Sequence, residues 1–322
     1  MIDFTEIARN NLSYRAYGGA NGIKKGILLN DEPYMLKIEH RDKRRAEYTN
    51  SILSEYIASK IYSMFIPTQE VILGKIKDNN KDKLCVACKD FKKENEYLYE
   101  FINIKNSVLT DNNSNGTGTE LKDILKAMEE QKFCKVEDVK KRFWDMFVVD
   151  SYLGNFDRHN GNWGFIVNEK TKETRLAPVY DCGSCLYPGA SDEQLKNFLN
   201  SKEELEKRVF VFPNSAIRLE DQKLNYYKFL TETTNEECLK SIREIVPKIN
   251  EKTKEIESFI NSIDVLSDVR KEFYCKILEM RREKILEVAL ERANNLTNEK
   301  ENPWEKKLAN DKAQGLSLGL GK

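Results

Sequence analysis

The chain has no surplus of charge of either sign: 53 Lys and Arg stand against 53 Asp and Glu. No global field therefore draws it toward nucleic acid or an anionic membrane, and neither is expected as a partner. It has no apolar run of the ~18 residues a membrane helix requires. Its opening, Met1-Ile2-Asp3-Phe4-Thr5-Glu6, has neither a basic nor an apolar stretch. A Sec signal peptide is not expected, so the chain is expected in the cytoplasm or exported by a route without one. Histidine is scarce, with 2 residues in 322. The cysteine count of 7 is odd, and several lie in apolar runs, which fits reduced thiols better than a disulfide framework. No internal repeat is visible.

What is present reads as a mixed α+β chain in two parts. Residues 14–40 suggest β structure, with Gly26-Ile27-Leu28-Leu29 and Tyr34-Met35-Leu36-Lys37-Ile38 separated by the turn cluster Asn30-Asp31-Glu32-Pro33. The spacing of Leu53, Ile57, Ile61 and Phe65 predicts a helix over 46–65, stopped by Pro67. Two more strands are expected at 69–76 and 83–91, giving a β-rich lobe over 1–91. The polar stretch from Thr110 to Gly118 reads as a mobile loop. Phe143, Trp144, Phe147, Val148 and Tyr152 share one face of a helix ending near Gly154. Short strands are expected at 163–167 and 175–179. From about 190 onward the pattern is helical, with Leu266, Val269, Phe273, Ile277 and Met280 on one face. A helical lobe is expected over 92–295 and a disordered tail over 296–322.

The stretch Leu153-Gly154-Asn155-Phe156-Asp157-Arg158-His159-Asn160-Gly161-Asn162-Trp163 joins an apolar helix to a short strand and is unusually polar for such a connection. Asp157 and Asn162 have the D-x-x-x-x-N spacing that puts a base near an attacking hydroxyl and an amide oxygen on a metal. Downstream, Ala177-Pro178-Val179-Tyr180-Asp181-Cys182-Gly183 brings an apolar run into D-x-G, a place for a metal-binding carboxylate. Upstream, Gly18, Gly19 and Gly22 offer backbone close to phosphates. Lys37, inside an apolar strand, needs an anionic partner, and Glu55 on the next helix is the candidate. Cys88-Lys89-Asp90-Phe91 falls where backbone groups of a hinge would bind adenine, so Lys89 and Phe91 are nucleotide-binding candidates. His159 is a candidate to orient the loop or to act as a base. Taken singly, each element has a plainer reading: a turn, a snorkelling lysine or a capping residue. The ordered set is what argues for phosphoryl transfer.

These runs resemble the HipA-like kinases, in particular their short cell-translocating type, over roughly residues 14–295. The resemblance rests on Gly-Gly-Ala-Asn-Gly, Glu-Tyr-Ile-Ala, Val-Ala-Cys-Lys-Asp-Phe, Phe-Trp-Asp-Met-Phe-Val-Val-Asp, Leu-Gly-Asn-Phe-Asp-Arg-His-Asn-Gly-Asn-Trp-Gly-Phe and Tyr-Asp-Cys-Gly-Ser-Cys-Leu-Tyr-Pro. It implies a bilobal protein-kinase-like fold and ATP- and Mg²⁺-dependent transfer to Ser or Thr of a protein substrate, with autophosphorylation in the 110–119 loop. Asp157 is then the general base, Asn162 and Asp181 metal ligands, and Lys37 the phosphate-binding lysine. Typical HipA toxins carry an extra N-terminal subdomain and a DNA-binding antitoxin partner. The glycine cluster lies so near residue 1 that the subdomain is expected to be missing, which weakens the expectation of an antitoxin.

Three alternatives share these residues. The Leu-Gly-x-x-Asp-Arg-His-Asn-x-Asn run also resembles the catalytic loop of phosphoinositide kinases, although no basic cluster suits a membrane surface. The pairs Cys85/Cys88 and Cys182/Cys185 could form a zinc or redox site. The first pair lies in a strand-like run, however, and Pro188 follows the second, so no zinc is expected. A pseudokinase binding module would not need Asp157, Asn162 and Asp181 together.

Overall fold

A computed structural model describes residues 1–15, 17, 23–39, 51–78, 81–109 and 115–301. The expectations placed on Gly18, Gly19 and Gly22, on helical residues 46–50 and on the tail beyond 301 lie outside the described residues.

The chain begins with β1 (Ile2–Asp3) and the single turn α1 (Ile7–Asn10), neither of which the sequence announces. Next come β2 (Ile23–Leu29) and β3 (Glu32–Ile38), paired antiparallel so that Leu29 faces Glu32 and Lys24 faces Lys37. The turn is only Asn30 and Asp31, with φ of 51° and 62°. Left-handed geometry at both central positions matches the twist of a hairpin, and Asn and Asp tolerate it. Helix α2 (Ser51–Tyr62) buries Leu53, Ile57 and Ile61 as their spacing predicts. It ends at Tyr62, short of Phe65, because the chain turns at 63–65 before Pro67. Strands β4 (Val71–Asp78) and β5 (Lys81–Lys89) complete a five-stranded sheet of order β1-β4-β5-β3-β2.

That sheet is apolar on both faces. Phe4, Ile27, Leu36, Ile38, Ile76 and Cys85 form one core, and Val71, Val86 and Cys88 pack with Ile52 of α2 on the other. Phe4 lies so close to Gly74 that a Cβ there would sit 2.3 Å from its ring, so β1 can dock only on glycine. Side chains alternate along β3. Leu36 and Ile38 belong to the first core, and Lys37 between them is turned toward α2.

The rest of the chain is mainly helical. Strand β6 (Glu96–Glu100), α3 (Phe101–Leu109), α4 (Leu121–Glu130) and the 18-residue α5 (Val136–Leu153) lead to β7 (Gly164–Asn168) and β8 (Thr174–Leu176). Strands β6, β7 and β8 form a separate antiparallel sheet in that order. Helix α5 is buried along most of its C-terminal half and stops at Gly154, whose φ of 68° provides the left-handed end that glycine favours. Then follow α6 (Asp192–Leu199), α7 (Lys202–Phe210), β9 (Asn214–Leu219), β10 (Gln222–Asn225) and α8 (Tyr226–Glu232). Last come α9 (Glu236–Asn261), α10 (Asp268–Arg281), a π turn at Arg282–Leu286 and α11 (Glu287–Glu301).

Three sequence expectations need correcting. Residues past 190 are not all helical, because β9 and β10 form a hairpin whose only buried apolar side chains are Ile217 and Leu224. With so few core positions it carries no readable alternation. Helix α11 runs to Glu301, past the expected start of the tail at 296. Residues 116–118 are also held in place: Gly116 and Gly118 accept hydrogen bonds from the Asn160 amide at 2.7 and 2.9 Å. No helix among the described residues is long and apolar enough to cross a membrane. The β-rich segment followed by a helical segment is the α+β arrangement expected.

Candidate active site

The polar loop between α5 and β7 is held by its own side chains and by the helices under it. Asn155 at its start accepts from the Asp157 N–H at 3.0 Å through its side-chain oxygen and gives its amide to Asp150 at 2.7 Å. Tyr226 of α8 donates to the Asn155 carbonyl at 2.6 Å. Asn162 donates its amide to the Asp157 carbonyl at 2.8 Å, closing the D-x-x-x-x-N segment into a ring. The spacing thus has a structural task as well as a chemical one. The amide nitrogen of Asn162 is committed, and its side-chain oxygen takes no hydrogen bond from the described residues.

Beneath the loop lies a buried ion pair. Arg158 and Asp150 meet at 3.2 Å with side chains 3% and 1% exposed. Asp150 also accepts from Tyr62, the last residue of α2. Arg158 donates to the carbonyls of Asn162 at 2.9 Å and Tyr180 at 2.7 Å. Burial is the largest influence on Arg158 and would lower its pKa, but Asp150 together with Tyr62, Cys182 and Cys185 more than offsets it, and the guanidinium is held well above its ordinary value. One buried cation therefore ties together the ends of α2 and α5, the catalytic-type loop and the segment entering Asp181.

Facing the loop, Lys37 of β3 sits 2.7 Å from Glu55 of α2 and 3.1 Å from Asp181. Burial pulls the ammonium pKa down, yet Asp181 and Glu55 more than offset it and the group stays charged. Lys37 in turn depresses the Asp181 pKa. Asp181 adopts φ 55°, a left-handed conformation uncommon outside glycine, and its side chain is 45% exposed to the cleft. The other Glu55 oxygen accepts the Cys182 N–H at 3.1 Å, so Glu55 clamps both the lysine and the loop after Asp181. Burial raises the Asp157 pKa, with Asp181 adding to it and His159 opposing it. The Asp157 carboxylate takes no hydrogen bond from the described residues. His159 is exposed, and its Nδ1 accepts the Gly161 N–H at 3.0 Å, which ties the ring to its own loop.

The structure therefore brings Lys37, Glu55, Asp157, His159, Asn162 and Asp181 to one cleft. The hinge residues divide. The Lys89 N–H donates to Glu70 at 2.8 Å and its carbonyl accepts from Gln69 at 2.9 Å. Its ammonium pairs with Glu32 at 2.5 Å. The Lys89 N–H is thus taken and its carbonyl already holds one donor, because the β4–β5 pairing runs on through this residue. Phe91 lies beyond the strand with its ring 5.8 Å from that of Tyr180, on the side of the cleft. Asp90 between them is nearly buried and accepts from Arg15, Tyr17 and Lys92, which anchors the segment entering the glycine cluster.

Sequence reasoning passed over several participants. Lys24 sits opposite Lys37 and is near enough for Lys37 to lower its pKa, after burial. The two-residue Asn30-Asp31 turn would have revealed that register. Glu100 ends β6 opposite Gly164, and burial raises its pKa with Asp181 contributing. Tyr62 stands 88 residues from Asp150 in sequence, and Asp150 and Arg158 lie 8 apart across the end of a helix. None of the three carries a sequence signal of partnership, because only the packed fold closes these contacts.

Comparison with known proteins identifies the family. Residues 23–255 match the family described as the HipA-like C-terminal domain. The serine/threonine-protein kinase CtkA of Helicobacter pylori (strain J99) is 41% identical over 300 residues, covering 92% of this chain and 90% of that protein. The crystal structure of the H. pylori proinflammatory kinase CtkA superposes with a TM-score of 0.85 at 40% identity, covering 92% of this chain and 98% of that one. The HipA of the Shewanella oneidensis MR-1 complex of HipA, HipB and operator DNA shares the fold, with a TM-score of 0.57 at 12% identity over 88% of this chain and 70% of that one. With the family match spanning most of its length and a relative of this similarity, the chain belongs to the HipA-like family.

Proposed function

We propose that this chain is an ATP-dependent serine/threonine protein kinase of the HipA-like type. The observation that carries the reading is Lys37, a charged ammonium at 14% side-chain exposure held between Glu55 and Asp181 and facing the Asp157–Asn162 loop. A buried cation arranged this way is a seat for polyphosphate oxygens. Lys24 adds a second positive group beside it.

The residues fit a divalent cation. Asn162 has its amide oxygen uncommitted among the described residues, and Asp181 has a carboxylate oxygen besides the one near Lys37. Mg²⁺ held by these two would neutralise charge on the phosphate oxygens. Asp157 would receive the proton of the acceptor hydroxyl. Its raised pKa brings it nearer to neutrality, which favours proton transfer. Arg158 holds the backbone of Asn162 and Tyr180 from below, keeping the metal-side groups in register with the base. His159 orients the loop through Gly161 rather than taking the acceptor proton. Phe91 would pack near the adenine.

The acceptor is proposed to be a protein hydroxyl, including hydroxyls of the chain itself. The Ser and Thr residues of the 110–119 loop, Thr110, Ser114, Thr117 and Thr119, are the autophosphorylation sites proposed; of these Thr119 is engaged, donating to the Ala216 carbonyl at 2.7 Å. No direct binding to nucleic acid or a membrane is proposed, and an antitoxin partner is not needed for the site. The test is to incubate the purified protein with γ-labelled ATP and Mg²⁺, a generic basic protein and phosphoinositide vesicles. Label is expected on protein Ser or Thr and lost with chelator. Label on the lipid alone would overturn the reading.

A further inference from the structure

A cavity of about 810 Å³, with Lys37 not among its lining residues, opens between the N-terminal half of α5, α9, strand β8 and the 65–67 turn. It is within the usual size range of a ligand site. Its polar groups are unevenly satisfied. Lys141 is neutralised by Asp145 at 2.9 Å and Glu244 at 2.5 Å, and Arg175 by Glu96 at 2.8 Å. Lys132, Lys135 and Lys248 are exposed at the rim and form no ion pair with the described residues. Arg142 lies deeper. It gives one hydrogen bond, at 2.7 Å to the Ala177 carbonyl, and has no carboxylate within ion-pair distance among the described residues. Against these four cations stands one unpaired lining carboxylate among the described residues, Asp138.

Two further observations indicate what kind of anion fits. Asp145 is 8% exposed, and its Oδ1 has no hydrogen-bond partner among the described residues. A buried carboxylate oxygen left bare is costly and calls for a donor, which a free anion cannot supply but a peptide N–H can. Strand β8 is the edge of its sheet, paired only with β7. The Ala177 N–H reaches the Gly164 carbonyl at 3.0 Å. By antiparallel alternation, Thr174 and Leu176 turn their backbone groups to the open edge, and both line the cavity. An edge strand of this kind accepts an added strand.

We propose that this cavity docks an extended acidic segment of the protein acceptor: its carboxylates on Lys132, Lys135, Lys248 and Arg142, its backbone on β8 and Asp145. The acceptor role rests on the kinase reading, while the binding does not. Docking here also touches the site, since Arg142 holds Ala177, four residues before Asp181.

The probe is a fluorescein-labelled decapeptide of alternating Glu and Val, with a Lys and Val decapeptide and inorganic phosphate as comparisons. Fluorescence anisotropy is expected to show salt-sensitive binding of the acidic peptide and none of the basic one. In Lys132→Glu/Lys135→Glu/Lys248→Glu, binding is expected to weaken by about tenfold or more. The triple Lys→Gln variant guards against misfolding. Fusing the acidic segment to a Ser-containing acceptor peptide should lower its KM for the wild type and not for the variant, with kcat and transfer to the unfused peptide equal in both. Equal affinity in wild type and variants, displacement of the peptide by millimolar phosphate at constant ionic strength, or an unchanged KM for the fused acceptor would each overturn the proposal. Absence of phosphoryl transfer from wild type and variant alike, with binding intact, would strike the kinase reading and the acceptor role together and leave the peptide site standing.

Discussion

Replacing Asp150 by Asn should be among the most damaging changes to this chain, although Asp150 touches no substrate. Its carboxylate is 1% exposed and serves three donors: Tyr62, the Asn155 amide at 2.7 Å and the Arg158 guanidinium at 3.2 Å. A neutral amide in its place would leave the Arg158 charge buried against two carbonyls with no counter-ion. Breaking a buried pair on one side typically costs about 3–5 kcal/mol, against a total stability of roughly 5–15 kcal/mol for a folded protein. Arg158→Met should cost less, because Asp150 keeps the hydrogen bonds from Tyr62 and Asn155. The double variant Asp150→Asn/Arg158→Met removes both charges and should recover much of the loss, so the two single effects will not add. Urea unfolding followed by tryptophan fluorescence reads this directly, since Trp144 and Trp163 are buried in the same core. The recovered double variant should still turn over slowly. Without Arg158 the Asn162 and Tyr180 carbonyls lose their common anchor, and a misplacement of the order of 1 Å costs about 10²-fold. Additive losses, or a single Asp150→Asn effect below about 1 kcal/mol, would refute the argument that one buried cation organises the loop.

Asp157→Ala is expected to lower kcat by about 10²–10⁴-fold with nucleotide affinity near wild type, whereas Asp181→Ala should abolish transfer and weaken Mg²⁺-ATP binding; calorimetry with and without Mg²⁺ separates them, and the reverse pattern would exchange the roles. Because burial raises the Asp157 pKa, the acid limb of kcat/KM should lie above the ordinary aspartate range. The same sign makes ionised Asp157 a cost to the folded state at neutral pH and none below the unfolded pKa, so Asp157→Asn should raise Tm at pH 7.5, and the gain should vanish in strong acid. Lys37→Met should raise the ATP KM as well as lower kcat, since Lys37 is charged at any working pH. Burial pushes the Cys85 and Cys182 thiols up to about 12, so a thiol reagent at pH 8 should modify only the half-buried Cys134 and Cys275 in the native protein and all seven cysteines after unfolding.

Local chemistry made much of this molecule readable from its sequence. The Asn30-Asp31 turn, the Leu53/Ile57/Ile61 stripe and the glycine that ends α5 each act within a few residues, so the hairpin and both helices were legible. That Lys37, Glu55, Asp157, Asn162 and Asp181 belong together was legible too, because the chemistry proposed for them calls for those residue types in that order. What escaped was whatever depends on contacts between distant parts of the chain. The β9/β10 hairpin has too few buried side chains to show a period, and its existence is decided by what it packs against. Lys89 looked like a hinge residue, but Glu70, some 20 residues away, takes its N–H and Gln69 gives its carbonyl a donor. Asp150 and Arg158 read as ordinary charged residues, since a buried ion pair leaves no periodicity and is defined only when helices bring the two groups out of water together. Tertiary structure alone decided that this pair joins the loop's own Asn155 and Asn162 in holding the candidate catalytic groups in place, because desolvation, which makes the loss of such a pair severe, belongs to the packed fold and not to any stretch of sequence.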